Sequence, residues 1–455
     1  MNCNRDLLVG VLCTALGGTA AGLVPAPAHA SVSAENAGSK LCHANVDDPS
    51  GMGRLPTEQG RLPLGQPNHQ SLIVWPGQSI QQAIDQAAEG ATIFILPGVY
   101  RETAHPTNGL IINKSGISLI ALNTPTRRVV LENAGNQRNG IVVVPSDRSD
   151  CMSCHESMAP PFERLPGVDS GMDSIDPVLY DIEIRGITIR NFINNGLFTE
   201  RVDGFRIVNV HSDNNKNYGI FPTLSRNGLI ALSKATGAND SGIWVETSDD
   251  VRVTHNLVEN NTNGIEVSNS DDIDLTFNVA RNNTVGIAAL LLPEIFDIRA
   301  GAKRINVQDN HVYDNNRANT AGPGNPLAVF PPGVGVLYVG VDESEISGNH
   351  VSGNRLSGIA ITDYCVVASV IPGFDCQALP LPFQQDQRAR DNEVAGNTAT
   401  GNGLDPGSPA ENPLFFVASD LTLLSLPDTN GNCFEDNTFN TFFSLLPLSA
   451  PPGCD

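Results

Sequence analysis

Five consecutive residues carry the most specific chemical signature in the chain. They are Cys-Met-Ser-Cys-His, from Cys151 to His155. In the pattern Cys-x-x-Cys-His, two thiols can attach a c-type haem and the histidine can become an axial ligand of its iron. Cys151 and Cys154 could instead form a local disulfide or hold a small metal ion. The segment is too short for an independent cytochrome domain, and we keep haem, disulfide and metal as open interpretations.

Four more cysteines lie near the C-terminus. They can pair locally, as Cys365 with Cys376 and Cys433 with Cys454, and such bonds would staple two loops. If an N-terminal leader is removed, seven cysteines remain, which leaves Cys42 over when the others pair. The odd number does not discriminate between haem and a disulfide in the Cys-x-x-Cys segment, since both use two thiols.

The remaining candidate residues depend on an internal repeat, which is marked by a glycine followed by an apolar residue. The glycines are Gly196, Gly219, Gly242, Gly264, Gly286, Gly335 and Gly358. Apart from one longer gap, successive glycines are 22 or 23 residues apart, a period typical of solenoid proteins. A polar marker keeps the same pace at Asn209, Ser233, Asn256 and Asn278, and insertions then shift it to Asn310 and Asn349. We expect its amides to bond one another from coil to coil.

Within each period, apolar and polar residues alternate, as in Val251 to Thr254, which indicates strands with one inward side. Glycine, asparagine and aspartate separate these runs and favour turns. The sequence therefore predicts an all-β fold, a single-stranded right-handed parallel β-helix solenoid with rungs of about 22 residues. Leucine-rich repeats share this period, but their leucine consensus is missing here.

The two ends of a solenoid need covers, because its first and last coils would otherwise expose apolar residues. The stretch from Ser79 to Glu102 begins with an amphipathic pattern that predicts an N-terminal capping helix. Its apolar face consists of Ile80, Ala83, Ile84 and Ala87. We expect the tail after Asn432, which is rich in Phe, Leu and Pro, to cover the last coil.

The N-terminus has the features of an export signal. Residues 7–24 are mostly apolar, and Ala28-His29-Ala30 resembles a cleavage site. The alternative is a membrane-spanning helix, which four glycines and two threonines in the run disfavour. We expect a periplasmic or extracellular protein with no membrane span once the signal is removed.

The predicted organisation is a signal peptide at 1–30, a polar segment at 31–70, the N-terminal cap and first rungs at 71–145, an irregular insert with Cys-x-x-Cys-His at 146–178, central repeats at 179–400, and a C-terminal rung, cap and tail at 401–455.

The net charge of −22 limits the classes of partner. Nucleic acid and anionic lipid are disfavoured because binding to phosphate requires a basic surface. The acidic balance is compatible with divalent cations. We expect the partner to be a polysaccharide or an envelope protein.

Aligning the repeats predicts one outward face that combines aromatic rings and carboxylates. Its candidate binding residues are Tyr218, Phe221, Trp244, Glu246 and Glu266. Aromatic faces beside carboxylates suit sugars, because ring C–H groups stack and hydroxyls donate hydrogen bonds. Two carboxylates about 4.8 Å apart on adjacent rungs could also act as acid and base in glycoside hydrolysis. The alternatives are that a loop covers these residues or that the glutamates are only solvated.

Lyase or epimerase chemistry on a uronate needs a base and a cation that neutralises the carboxylate of the sugar. The repeats offer His211, Lys216, Tyr218, Arg252 and His255. The compact Asp-Pro-His-Asp motif of alginate epimerases is missing, which lowers the case for these activities.

Acidic residues recur at one corner of successive rungs. They are Asp249, Asp250, Asp271 and Asp272. Carboxylate oxygens stacked in this way could bind calcium, although aspartate is also an ordinary turn residue.

Three stretches of the sequence carry a resemblance to known proteins. "GATIFILPGVYRE" resembles the opening of pectin-lyase-like β-helix proteins. "NNTNGIEVSNSDDI" and "NNTVGIAALLLPE" resemble an exported bacterial family of parallel β-helix repeat proteins, whose members are mostly uncharacterised. The resemblance implies the fold. It also implies a choice among polysaccharide lyases, uronan C5-epimerases, glycoside hydrolases and non-catalytic envelope scaffolds, without selecting one of them.

Overall fold

The structure is a computed structural model. It describes residues 70–145, 178–322, 325–369, 375–409, 412–425, 431–446 and 448–454. All of them belong to the compact unit Gly65–Asp455. The Cys-x-x-Cys-His segment, the predicted signal peptide and the polar segment up to residue 69 lie outside the described residues.

Short strands are the main secondary structure of the described chain. The first are β1 (Ser71–Val74), β2 (Thr92–Ile95), β3 (Gly98–Tyr100), β4 (Asn108–Ile112), β5 (Ser118–Ala121), β6 (Val129–Glu132) and β7 (Asn139–Val143). The central strands are β8 (Leu179–Arg185), β9 (Ile187–Arg190), β10 (Leu197–Glu200), β11 (Val202–Val208), β12 (His211–Asp213), β13 (Ile220–Thr223), β14 (Arg226–Ala231), β15 (Lys234–Thr236), β16 (Ser241–Glu246), β17 (Asp249–Thr254), β18 (Leu257–Glu259), β19 (Asn263–Ser268), β20 (Asp271–Thr276), β21 (Val279–Arg281) and β22 (Val285–Leu290). The last are β23 (Lys303–Gln308), β24 (His311–Tyr313), β25 (Val334–Val339), β26 (Glu345–Ser347), β27 (His350–Ser352), β28 (Ser357–Thr362), β29 (Glu393–Ala395), β30 (Thr398–Thr400), β31 (Ser419–Leu424), β32 (Cys433–Glu435) and β33 (Phe442–Ser444).

Helices are short and lie at one end or in insertions. The α-helices are α1 (Ile80–Gln86), α2 (Tyr364–Ala368) and α3 (Leu381–Asp386). Single 3-10 turns occur at Pro293–Ile295, Pro326–Val329, Cys376–Ala378 and Phe415–Val417. Among the described residues, no helix has the length and apolar character needed to cross a membrane.

The strands form three parallel sheets of 12, 10 and 11 strands, here called sheets 1, 2 and 3. Sheet 1 has the order β1-β2-β5-β8-β11-β14-β17-β20-β23-β26-β29-β32, sheet 2 the order β3-β6-β9-β12-β15-β18-β21-β24-β27-β30, and sheet 3 the order β4-β7-β10-β13-β16-β19-β22-β25-β28-β31-β33. Each coil gives one strand to each sheet and then returns beside its own start. The predicted single-stranded parallel β-helix is confirmed.

The core is a stack of identical inward positions from successive coils. Ile220, Ile243 and Ile265 are partners in register on sheet 3, and each is fully buried. Burying such a side chain contributes about 1.5–3 kcal/mol. Because each coil is covered only by its neighbours, the stability depends on repeating the pattern.

Polar side chains at the turns form ladders along the solenoid. The predicted series runs through Ser233, Asn256, Asn278, Asn310, Asn349, Asn397 and Asn437. Asn209 was wrongly placed in it, because the backbone N–H of Val210 bonds Ser233 instead. Asn209 has a φ of 53° and makes the turn, a conformation that asparagine tolerates. A second ladder went unpredicted, and it runs through Asn261, Asn283, Asn315, Asn354 and Asn402.

The second ladder explains the repeated glycine. A Cβ added at Gly242 would lie 2.6 Å from the amide nitrogen of Asn261 and 2.8 Å from the carbonyl oxygen of Gly264 in the next coil. Only glycine lets the asparagine amide and the next coil approach so closely.

The N-terminal cap is formed as predicted. Helix α1 begins after Ser79, whose hydroxyl accepts a hydrogen bond from the backbone N–H of Gln82. Ile80 and Ile84 are buried against the first coil. At the other end, Phe434 enters the core and Phe442 packs against it, which is the cover expected from the C-terminal tail.

Candidate functional site

Strand alternation on sheet 3 separates an inward from an outward side. In β16, Ile243 and Val245 belong to the central core, whereas Trp244 points outward into a different apolar cluster. Glu266 is the register partner of Trp244, and Glu246 is the partner of Thr223. The repeat alignment therefore assigned the direction of these side chains correctly.

Three of the predicted binding residues form one aromatic cluster. Phe221 and Trp244 are stacked, with centroids 4.4 Å apart and an interplanar angle of 9°. Tyr218 packs 4.6 Å from Trp244 and 4.8 Å from Phe221, tilted to both. Adjacent coils place the rings this close because neighbouring parallel strands lie about 4.8 Å apart.

Carboxyl groups lie directly beside these rings. Glu266 accepts hydrogen bonds from the hydroxyl of Ser241 at 2.5 Å and the amide of Asn263 at 2.9 Å. The Ser241 hydroxyl also lies 3.0 Å from Asp240, so the two carboxyl oxygens are within about 5.5 Å of each other. Glu246 accepts a 2.6 Å bond from Thr223. We call Asp240, Glu246, Glu266 and the three aromatic residues the acidic site.

Burial changes the acidity of this site. Desolvation raises the pKa of Asp240 to about 7, and the neighbouring charge of Glu266 adds to the shift. Desolvation also raises the pKa of Glu246 to about 7, against the opposing effect of its bond from Thr223. The pKa of Glu266 is raised by burial as well. Carboxyl groups that stay protonated near neutral pH can act as general acids.

This face is covered, which is one of the alternatives that the sequence left open. Trp244 is 4% exposed and Glu266 is 2% exposed. Segments inserted after β22 and after β24 reach the site, because Leu292 packs against the aromatic cluster and the amide of Asn325 donates to Asp240. Insertions in a solenoid occur at turns, and the repeat pattern does not indicate over which sheet they fold.

Sequence reasoning missed Asp240 and Asn263. Asp240 directly precedes β16, and Asn263 is the first residue of β19. Both lie before the repeated glycine, whereas the outward sets used for the prediction begin two residues after it. The position before each repeated glycine also faces outward, and Ser241 and Asn263 occupy it at Gly242 and Gly264. Including this position in the alignment could have found Asn263, and Asp240 is the neighbour of Ser241.

Most residues considered for uronate chemistry lie elsewhere. Tyr218 is in the acidic site, but His211 is on sheet 2 and Arg252 is on sheet 1. His255 follows the sheet 1 strand β17 and contacts Phe277 at 5.1 Å. The structure therefore does not bring these candidate bases to the carboxylates of sheet 3.

The predicted acidic corner is present and has arginine partners. Arg299 bonds both carboxylate oxygens of Asp249 and lies 3.0 Å from Asp271. Arg304 bonds Asp272 through two nitrogens, at 2.6 and 2.9 Å. The guanidinium of Arg304 lowers the pKa of Asp272. These cations stand where the calcium hypothesis would place the ion, and calcium stays a prediction.

The corner also has a turn role. Asp250 and Asp272 adopt φ values of 50° and 58°. Aspartate enters this left-handed region more readily than most residues, which accounts for the repeated Asp-Asp pair without a metal.

Both predicted C-terminal disulfides are formed. They join Cys365 to Cys376 and Cys433 to Cys454. In the described part of the chain, Glu393, Glu435 and Cys454 lie close enough together for a metal, but the thiol of Cys454 is used in its disulfide. Haem, disulfide or metal at Cys151, Cys154 and His155 remains a prediction outside the described residues.

Comparison with known proteins supports the fold. Residues 131–291 match the family model described as right handed beta helix region. The A-module of the mannuronan C-5 epimerase AlgE4 from Azotobacter vinelandii is 18% identical, with a TM-score of 0.54 over 82% of this chain and 94% of that one. The AlgE6 A-module from the same organism is 15% identical, with a TM-score of 0.48 over 81% and 95%. No curated protein matches in sequence. At these identities the likeness establishes the fold alone.

Proposed function

We propose that this protein is an exported β-helix that binds a polysaccharide at the acidic site and processes it by general acid–base chemistry. The observation that supports this most is the buried pair Asp240 and Glu266, which share the hydroxyl of Ser241 beside stacked aromatic rings. A carboxyl group with a raised pKa beside an ionised carboxylate is the usual acid and base pair of glycosidic bond cleavage. The printed name of AlgE4 describes an enzyme acting on mannuronan, which adds a polysaccharide-active example on the same fold.

The roles follow from the two protonation states. A protonated carboxyl group donates to the glycosidic oxygen, and an ionised partner takes a proton or stabilises positive charge on the sugar. A separation of about 5–5.5 Å between the two groups is the range of retaining glycosidases. Trp244 and Phe221 would stack on a sugar ring. Substrate entry requires displacement of the segment that carries Asn325, since its amide bonds Asp240.

A second candidate function is a non-catalytic envelope scaffold. The burial of Trp244 and Glu266 favours it, because a buried carboxyl group can have a purely structural role in packing and hydrogen bonding. In this version the Cys151–His155 segment could carry a redox group, and a haem Soret band in purified protein would support that part.

Proton NMR of the protein mixed with polyuronates and neutral glycans, with calcium present, tests the first proposal. New unsaturated ends, altered C5 configuration or free reducing ends would identify the reaction. Glu266→Gln should abolish the change, and Glu393→Gln, which alters an exposed carboxyl group on sheet 1, should not. Unchanged spectra for every glycan with the wild-type chain would contradict catalysis and favour the scaffold.

A further inference from the structure

The balance of charge around the acidic site bears on the class of polysaccharide it takes. This inference rests on the proposed function. The five sheet 3 strands β10, β13, β16, β19 and β22 contain no lysine, arginine or histidine. They carry Glu200, Glu246 and Glu266, and Asp240 directly precedes β16. Arg201, which follows β10, lies 3.7 Å from Glu200 and is 5% exposed.

The site also holds a buried acceptor without a donor. The amide of Asn263 donates to Glu266 at 2.9 Å, which places its head group inside the acidic site. Its carbonyl oxygen has no hydrogen-bond partner among the described residues, and the side chain is fully buried. Asn195, 6% exposed and three coils earlier at the equivalent position before the repeated glycine, has a carbonyl oxygen that also lacks a partner. A buried acceptor left without a partner is unfavourable, and a ligand that donates a hydrogen bond to it removes that cost.

One donor already contacts the carboxylates from an inserted segment. The amide N–H of Asn325 bonds Asp240. The hydroxyls of Thr320 and Thr262 lie 3.2 Å apart and hold this segment beside the same sheet. An N–H group of the protein itself thus already binds Asp240, and the N–H group of a ligand would take its place.

We propose that the acidic site takes a polysaccharide with free amino groups, an amino-sugar polymer, and not a polyuronate. A protonated amine is a cation with three donors, so it matches both the carboxylates and the unsatisfied oxygen of Asn263. A bound ammonium group favours the ionised forms of Glu246 and Glu266, whereas a uronate carboxylate would add a further negative charge beside them, and these strands hold no cation to neutralise it. The net charge of −22 also favours the approach of a cationic polymer.

Binding of three hexasaccharides to the full chain at pH 7 tests the proposal. The probes are the hexamers of glucosamine, N-acetylglucosamine and mannuronate, followed by titration calorimetry and by tryptophan fluorescence. We expect the glucosamine hexamer to bind at least about tenfold more tightly than the other two, and to weaken as salt is added. Glu266→Gln should reduce that affinity by about tenfold, and Glu393→Gln should leave it unchanged.

The outcomes separate the two proposals. Equal or tighter binding of the mannuronate hexamer, or its conversion in the NMR assay, would overturn the amino-sugar inference and leave polysaccharide processing in place. Equal binding of the acetylated hexamer would also overturn it, because that probe differs by the loss of the amine charge. Binding of none of the three would overturn the amino-sugar inference, and the NMR assay with the wider panel of glycans then decides the proposed function. The comparison uses the wild-type chain, so it stands even if Glu266→Gln does not fold.

Discussion

Replacing Glu246 by glutamine should make the stability of the protein less sensitive to a rise in pH from about 4.5 to about 7. The carboxyl group is 6% exposed, and burial raises its pKa from 4.5 to about 7. Between these pH values the folded chain keeps a proton that the unfolded chain has lost. The free energy of unfolding therefore falls as pH rises from about 4.5 to about 7, and this contribution is constant above and below that window.

The magnitude follows from the width of the window. Each pH unit changes the free energy of unfolding by about 1.4 kcal/mol, so Glu246 alone accounts for a loss of about 3 kcal/mol by pH 7. Glutamine has almost the same shape and can still accept the hydrogen bond from Thr223. The variant has no titrating group at this position. The difference in the free energy of unfolding between the variant and the wild type should therefore increase in favour of the variant by about 3 kcal/mol from pH 4 to pH 8.

Urea unfolding at pH 4, 5, 6, 7 and 8 measures this difference. Circular dichroism follows the whole solenoid, and the fluorescence of Trp244, two positions away on β16, follows the acidic site. Glu393→Gln provides the baseline, because it removes an exposed carboxyl group on sheet 1. If the stability difference between Glu246→Gln and the wild type does not change with pH, the assigned burial and raised pKa of Glu246 are wrong.

Three further changes test the solenoid itself. Asn278→Ala should lower the free energy of unfolding by about 2–5 kcal/mol, because its buried side chain bonds two backbone groups of the preceding coil; chemical denaturation checks this, with the exposed Asn440→Ala as the control. Gly264→Ala should cost about 1–3 kcal/mol, because its Cβ would contact the backbone of the next coil, and an unchanged melting temperature would contradict that packing. Cys433→Ser should cost about 3 kcal/mol by opening the loop closed by Cys454, and a reducing agent should lower the stability of the wild type more than that of the variant, which keeps only the bond between Cys365 and Cys376 of the two C-terminal disulfides.

Repetition explains why so much of the fold was predictable. The 22-residue period, the alternation within Val251 to Thr254 and the amphipathic start of α1 are local patterns, and each coil packs on a copy of itself. The direction of Trp244 and Glu266 follows from the same alternation. The error at Asn209 was a shift by one residue within a turn. Val210 holds the ladder position, and Asn209 holds the left-handed position directly before it.

The repeat could not predict the partners that approach from outside the coil. Arg299 reaches the acidic corner from an insertion after β22, and Asn325 reaches Asp240 from the insertion after β24. Neither segment has a period, so neither could be aligned with its target. Whether a corner is an open set of carboxylates or a set of ion pairs depends on such contacts.

The sequence by itself determined the architecture, the inward and outward sides of each strand and the local disulfide pairs, because these depend on residues close in the chain or one period apart. The tertiary structure decided that Asp240, Glu246 and Glu266 share one buried environment with Tyr218 and Trp244. Burial and the mutual distances of charges raise the pKa values of those carboxyl groups. Both quantities arise only when inserted segments fold over sheet 3, which is a long-range event that no spacing in the chain encodes.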